Sequence, residues 1–138
     1  MKIGLLIVAT GKYKVYLNDL IRTSDVFFLK NHEVEYFIFT DDLINLESNR
    51  TINSIIIEHK PWPFPTLLRY KHFTSNEDKF KNFDYLYYVD SDMIFENIVG
   101  DEIFSDVTCV VHPWFVGNRG TPENNPKSLA FLSDKINF

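Results

Sequence analysis

An α/β fold with a mainly parallel sheet is predicted by three observations. Lys2 to Ala9 is a continuous apolar run ending in Thr10-Gly11. Val34 to Thr40 is a second such run, reached through a helical stretch and ending in Asp41-Asp42. Apolar strands keep alternating with helical segments along the chain, without internal repeats. A run apolar at every position suits a strand covered on both pleat faces, and strand-helix-strand alternation with right-handed crossovers sets helices on both sides of the sheet.

Each element follows from its own residues. After the first strand, Lys14 to Lys30 spaces Val15, Leu17, Leu20, Ile21, Val26, Phe27 and Phe28 in threes and fours, the period of an amphipathic helix, although the three adjacent residues at its end blur the stripe. Asn31-His32-Glu33 breaks that pattern before the second strand. Leu43 to Asn53 is polar and irregular, and the β-branched Ile55-Ile56-Ile57 reads as a third strand. Pro61, Pro63 and Pro65 impose extended backbone around Trp62, for which a structural place is expected. A second helix is expected from Pro65 or Thr66 to about Phe80, a fourth strand over Tyr85 to Val89, and a fifth over Val107 to His112. Pro113 to Asn125 is rich in glycine, asparagine and proline and reads as a loop.

Composition narrows the function. The chain has 138 residues, 45% of them hydrophobic and 16% aromatic, enough for one sizeable core and one domain. A net charge of -5 lacks the clustered basic surface that phosphate-backbone contacts need, so nucleic acid is not an expected partner. The apolar run from Ile3 to Thr10 is too short to span a bilayer, and a single preceding lysine makes a poor signal peptide, so a soluble, cytoplasmic protein is expected. The lone Cys109 rules out an internal disulfide. Its apolar surroundings point to a buried, inert thiol.

The chemistry concentrates where the fourth strand ends, in Tyr85-Leu86-Tyr87-Tyr88-Val89-Asp90-Ser91-Asp92. Two carboxylates one residue apart, where a pleat opens into a loop, can reach one hard cation directly or through water. Such a cation commonly bridges phosphate oxygens. Ligands of open α/β sheets also gather outside the carboxyl ends of the strands. The competing reading makes Asp90 and Asp92 caps of a turn.

Five blocks carry a resemblance: Val8-Ala9-Thr10-Gly11-Lys12-Tyr13; Tyr36-Phe37-Ile38-Phe39-Thr40-Asp41; Trp62 with Arg69; Asp84-Tyr85-Leu86 running into Val89-Asp90-Ser91-Asp92; and His112-Pro113-Trp114-Phe115-Val116-Gly117. In this order and spacing, over nearly the whole chain, they resemble glycosyltransferase family 6. That family holds the retaining α-1,3-galactosyl and N-acetylgalactosaminyl transferases, among them the blood-group A and B enzymes and bacterial relatives. The resemblance implies a hexosyltransferase with a GT-A, Rossmann-like nucleotide-sugar-binding fold. It implies UDP-galactose or UDP-N-acetylgalactosamine as donor, and a glycan or glycolipid acceptor of galactoside type.

It also assigns residues. Val8, Ala9, Thr10 and Tyr13 correspond to the uridine site, with Tyr13 beside the base; a small residue followed by Thr10-Gly11 allows close backbone approach. The plain alternative makes Gly11 a turn and lets Tyr13 pack on the first helix. Asp90 and Asp92 correspond to the Mn²⁺ site on the diphosphate, and Ser91 to a contact with ribose or sugar. Arg69 corresponds to an arginine near the donor sugar and diphosphate. A planar guanidinium suits such oxygens, and its alternative is a solvated helix residue. His112 corresponds to a histidine facing the acceptor. His32, His59 and His72 receive no role.

The sequence departs from the family pattern at its end. The acceptor-site tryptophan and the glutamate that acts at the sugar carbon have no counterpart here, so the catalytic residue is left unassigned and the fold is expected to be incomplete at its C-terminus. Residues 1–138 are expected to form a single donor-binding domain, marginally stable in isolation, with an apolar sheet edge that favours self-association. Three other readings stay open: a UDP-sugar-binding fragment without catalysis, another Asp-x-Asp glycosyltransferase such as a glucosyl transferase, and a nucleotidyltransferase. Thr10-Gly11-Lys12 is too short for the triphosphate loop that the last of these needs.

Overall fold

The computed structural model describes residues 1–110 and 126–127. Four strands form one parallel sheet, β1 (Lys2–Val8), β2 (Glu33–Thr40), β3 (Thr51–Ile56) and β4 (Tyr85–Asp90), in the order β3-β2-β1-β4. The helices are α1 (Leu17–Phe27) and α2 (Phe64–Thr74). Alternate residues of the strands face opposite layers. Ile3, Leu5 and Ile7 pack with Val34, Tyr36 and Ile38 against Leu17, Leu20 and Ile21 of α1. Leu6, Val8, Phe37, Phe39 and Phe80 form the other layer, with Phe73 of α2 against it. With α1 on one face and α2 on the other, the sheet has the predicted α/β arrangement, consistent with a GT-A-like fold.

Residues 1–104 form one compact unit and residues 105–138 a second. In the second unit, residues 107–110 are not in a strand, so the expected fifth strand is absent from the part of Val107–His112 that is described. Cys109 is exposed there, which corrects the expectation of a buried thiol. His112 and the block 113–117 lie outside the described residues. Among the described residues, no helix is long and apolar enough to cross a membrane.

Three boundaries differ from expectation, each for a physical reason. The first helical stretch opens as a 3₁₀ turn over Gly11–Tyr16 and ends at Phe27 rather than Lys30. Val26, Phe27 and Phe28 cannot all lie on one helical face. Phe28 instead turns extended and bridges to Val99, and Phe28 and Leu29 are 2% and 1% exposed as a result. β3 begins at Thr51, four residues earlier than the isoleucines suggest. It is an edge strand and tolerates polar residues, with Asn53 Nδ2 donating to Glu35 Oε2 at 2.9 Å across the pair. α2 stops at Thr74, where the Thr74 hydroxyl donates to Lys71 O and Asn76 Nδ2 to His72 O, so that side chains satisfy the last helical carbonyls. Phe80, 7% exposed, folds back into the core beyond a short 3₁₀ turn.

Candidate functional site

Parallel strands deliver all four carboxyl ends to one rim of the sheet, and the register fixes which ends meet. Val8 of β1 lies directly opposite Asp90 of β4. The base-site block and the acidic pair, some eighty positions apart in sequence, are thereby neighbours. They line one cleft of about 640 Å³, with Val8, Thr10, Lys12 and Tyr13 from the β1 exit and Asp90, Ser91 and Asp92 from the β4 exit. The remaining wall comes from the segment after β3 and the start of α2, including His59, Trp62 and Arg69.

The β1 exit is held from below and from the side. Gly11 adopts φ +56°, and its amide donates to Asp41 Oδ1 at 3.0 Å. Lys14 Nζ pairs with the same oxygen at 3.1 Å. Partial burial alone would raise the Asp41 pKa; the Gly11 amide and the Lys14 ammonium outweigh it and hold the carboxyl below its ordinary value. A Cβ at Gly11 would lie 2.7 Å from His59 Cε1, because the His59 ring sits directly on this turn and its Nδ1 is 3.1 Å from Thr10 Oγ1. Two conditions thus require glycine here, the left-handed backbone and the close ring. Ala9 does not reach the cleft: it is fully buried, and its amide is spent on Phe39 O at 2.9 Å.

The β4 exit carries the charge. Asp90 is half-exposed, and among the described residues both of its side-chain contacts fall on one oxygen, Oδ1. Arg69 Nη1 approaches that oxygen at 3.4 Å, and the Tyr88 hydroxyl donates a hydrogen bond to it. The guanidinium carbon stands 4.6 Å from the centre of the Tyr88 ring, while Nε donates to Thr66 O at 3.0 Å. Arg69 is therefore not a solvated helix residue; its side chain is 16% exposed and has found an anion. Burial first, and then the bond to Asp90, push the Tyr88 phenol far above its ordinary pKa, so it stays a donor throughout the working pH range. Ser91, between the two aspartates in sequence, is 4% exposed and lines the same cleft.

Several lining residues carry no sequence assignment. The sequence predicts a structural place for Trp62, yet it stands 73% exposed on the rim of the cleft. His59 has no predicted role and is part of the wall. Tyr88 had a legible signal, since a strand residue two positions before Asp90 shares its face. His59 had none, because its place depends on where the edge strand β3 ends.

Two carboxylates form a hard-oxygen donor set that suits a divalent cation such as Mn²⁺ or Mg²⁺. Among the described residues no group of three or more histidine, cysteine or acidic side chains is placed so that it could hold a metal ion. A cation on Asp90 and Asp92 would complete its shell from a ligand's oxygens and water, the usual manner of phosphate-bridging cations.

Comparison with known proteins agrees with this geometry. The sequence profile of glycosyltransferase family 6 matches residues 1–136. The chain belongs to glycosyltransferase family 6. Relatives within reach include the human globoside α-1,3-N-acetylgalactosaminyltransferase 1, 30% identical over 97% of this chain and 42% of the relative. The rat histo-blood group ABO system transferase 2 is 31% identical over 94% of this chain and 42% of its own length. The O-antigen biosynthesis glycosyltransferase WbnI of Escherichia coli is 26% identical over 83% and 50%. The family 6 chain described here thus spans half or less of the length of these relatives.

Proposed function

We propose that this chain forms the donor-nucleotide site of a metal-dependent, retaining family 6 glycosyltransferase. It takes UDP-galactose or UDP-N-acetylgalactosamine and serves α-1,3 transfer to a galactoside-type glycan or glycolipid. The observation that carries this reading is the pairing of Val8 with Asp90, which sets the base-site block and the acidic pair along one cleft with Arg69 between α2 and β4. The name of the human relative supplies N-acetylgalactosamine and the α-1,3 linkage as a chemical precedent.

In this reading Thr10 and Tyr13 border the uridine, and Tyr13 offers a ring face to the pyrimidine. Asp90 and Asp92 hold the cation, Ser91 lies below the ribose, and Arg69 turns its fork toward the diphosphate or the sugar. The bound divalent cation supplies Lewis-acid neutralisation of charge growing on the leaving diphosphate. The protein's own share is orientation and exclusion of water by the Trp62 rim. His112 remains the proposed acceptor contact and lies outside the described residues.

Calorimetric titration of UDP with Mn²⁺ and then with EDTA, on the wild type and on Asp90→Asn/Asp92→Asn, tests the proposal. Binding that requires metal and disappears in the double variant is the expected result. Equal UDP binding in EDTA and in the variant would remove the acidic pair from the ligand site. Absence of any UDP binding would end the nucleotide reading for this chain.

A further inference from the structure

We infer that Tyr88 is a positioning residue for the metal-binding carboxylate of Asp90: its hydroxyl holds Oδ1 and so presents the other carboxylate oxygen to the cation. The inference rests on the metal reading of Asp90 and Asp92. Three observations on the same side of β4 carry it. Tyr88 lies two residues before Asp90, so the pleat sends both side chains to one face, and the phenol reaches Oδ1 without distorting the strand. The Tyr88 ring is held by two contacts, a tilted one with Phe73 of α2 at 5.5 Å between ring centres and one with the Arg69 guanidinium carbon at 4.6 Å from the ring centre. Arg69 approaches the same oxygen that the phenol binds, so both protein donors converge on Oδ1.

A half-exposed aspartate at the end of a strand samples several rotamers in water, and a cation binding it must first select one. A phenol anchored by contacts with an aromatic ring and a guanidinium removes that selection step. Hydrogen-bonded partners of ligating groups act this way in metal sites generally, and their loss lowers metal affinity about 10–100-fold. The neighbouring Tyr87 offers a matched control. Its side chain points to the opposite face, where its hydroxyl donates to Ile103 O at 3.0 Å, remote from the cleft.

The test compares Tyr88→Phe, Tyr87→Phe and the wild type in Mn²⁺ titrations at fixed UDP, read by calorimetry and by the electron spin resonance of free Mn²⁺, with thermal melts alongside. Phenylalanine keeps the ring that Phe73 and Arg69 hold, so the fold is retained and only the hydroxyl is lost. The expected result is a rise of about tenfold or more in the Mn²⁺ concentration needed for half-saturation in Tyr88→Phe. UDP affinity at saturating Mn²⁺ should stay within about twofold, and Tyr87→Phe should match the wild type. A Tyr88→Phe midpoint equal to the wild type's, or an equal shift in both variants, would overturn the inference while leaving the metal site standing. A wild type that binds UDP without regard to Mn²⁺ would overturn the metal reading itself, and this inference with it.

Discussion

The two faces of the sheet are packed by different means, and the ligand-handling side chains belong to one of them. On the α1 face, aliphatic side chains close a layer in which Ile3, Leu5, Ile7, Leu17, Leu20 and Ile38 are fully buried. α1 alone contributes five buried residues to it. On the other face α2 contributes none, and its Leu67 and Tyr70 are 47% and 69% exposed. It meets the sheet through tilted aromatic contacts, with Phe73 5.3 Å from Phe39 and 5.5 Å from Tyr88 between ring centres. Because apolar burial is worth roughly 25 cal/mol per Å², the α1 layer dominates stability and α2 is held more lightly. Arg69 and the proline-rich approach to it ride on that lighter element. Site-bearing segments are drawn from the less stable part of a fold when they must adjust to a ligand.

The largest expected effect tests this division directly. Leu20→Ala, at a fully buried position on α1, should cost about 2–5 kcal/mol in denaturant unfolding. Leu67→Ala on α2 should stay within about 0.5 kcal/mol, the range of ordinary surface changes. Comparable losses at the two positions would erase the distinction between the faces. A Leu67 effect on UDP affinity without an effect on stability would sharpen it.

Gly11→Ala should come next, because it strains the turn at the β1 exit, beside the cleft. A non-glycine residue in the left-handed region costs about 1–2 kcal/mol, and the added Cβ would push the His59 ring off the β1 exit. Stability should fall by that amount and UDP affinity should fall with it. If the melt shifts and UDP binding does not, the His59 contact is only structural and the base-site corner lies elsewhere.

Legibility in the sequence follows the same division. β1 and β2 are legible to within a residue or so because they are apolar runs covered on both faces, and β4 is legible from its aromatic and β-branched run although its own residues are only partly buried. The first half of β3 is illegible because an edge strand can carry the polar pair Asn53-Ser54 among its isoleucines and still pair. The end of α1 is not legible locally because Phe28 answers to Val99, seventy-one residues later, rather than to its own helix. In the site, Val8, Thr10, Tyr13, Arg69, Asp90, Ser91 and Asp92 line one cleft, and Ala9 is fully buried. Trp62 and His59 escaped because exposure at a rim and contact across forty-nine residues are tertiary facts.

The smallest expected effect is electrostatic and sits at the end of β2, where Asp41 ties the Gly11 turn to the sheet. Its carboxyl is held below its ordinary pKa because the Gly11 amide and Lys14 favour the charged form against the cost of burial. A group whose folded pKa is depressed contributes stability above its ordinary value and loses it as pH falls through the folded one. The pair is partly exposed, so the contribution is about 1 kcal/mol after screening. Asp41→Asn should therefore unfold at lower denaturant than the wild type near neutral pH, with the gap closing once the pH drops below the ordinary carboxylate range. Other depressed carboxyls such as Glu35, held by Lys2 and Asn53, destabilise both proteins alike in acid and cancel in the difference. A gap that persists unchanged in acid would assign the loss to the shape of the substituted amide rather than to charge. The Gly11 turn would then be fixed by its backbone and His59, and the rim would owe nothing to the β2 carboxylate.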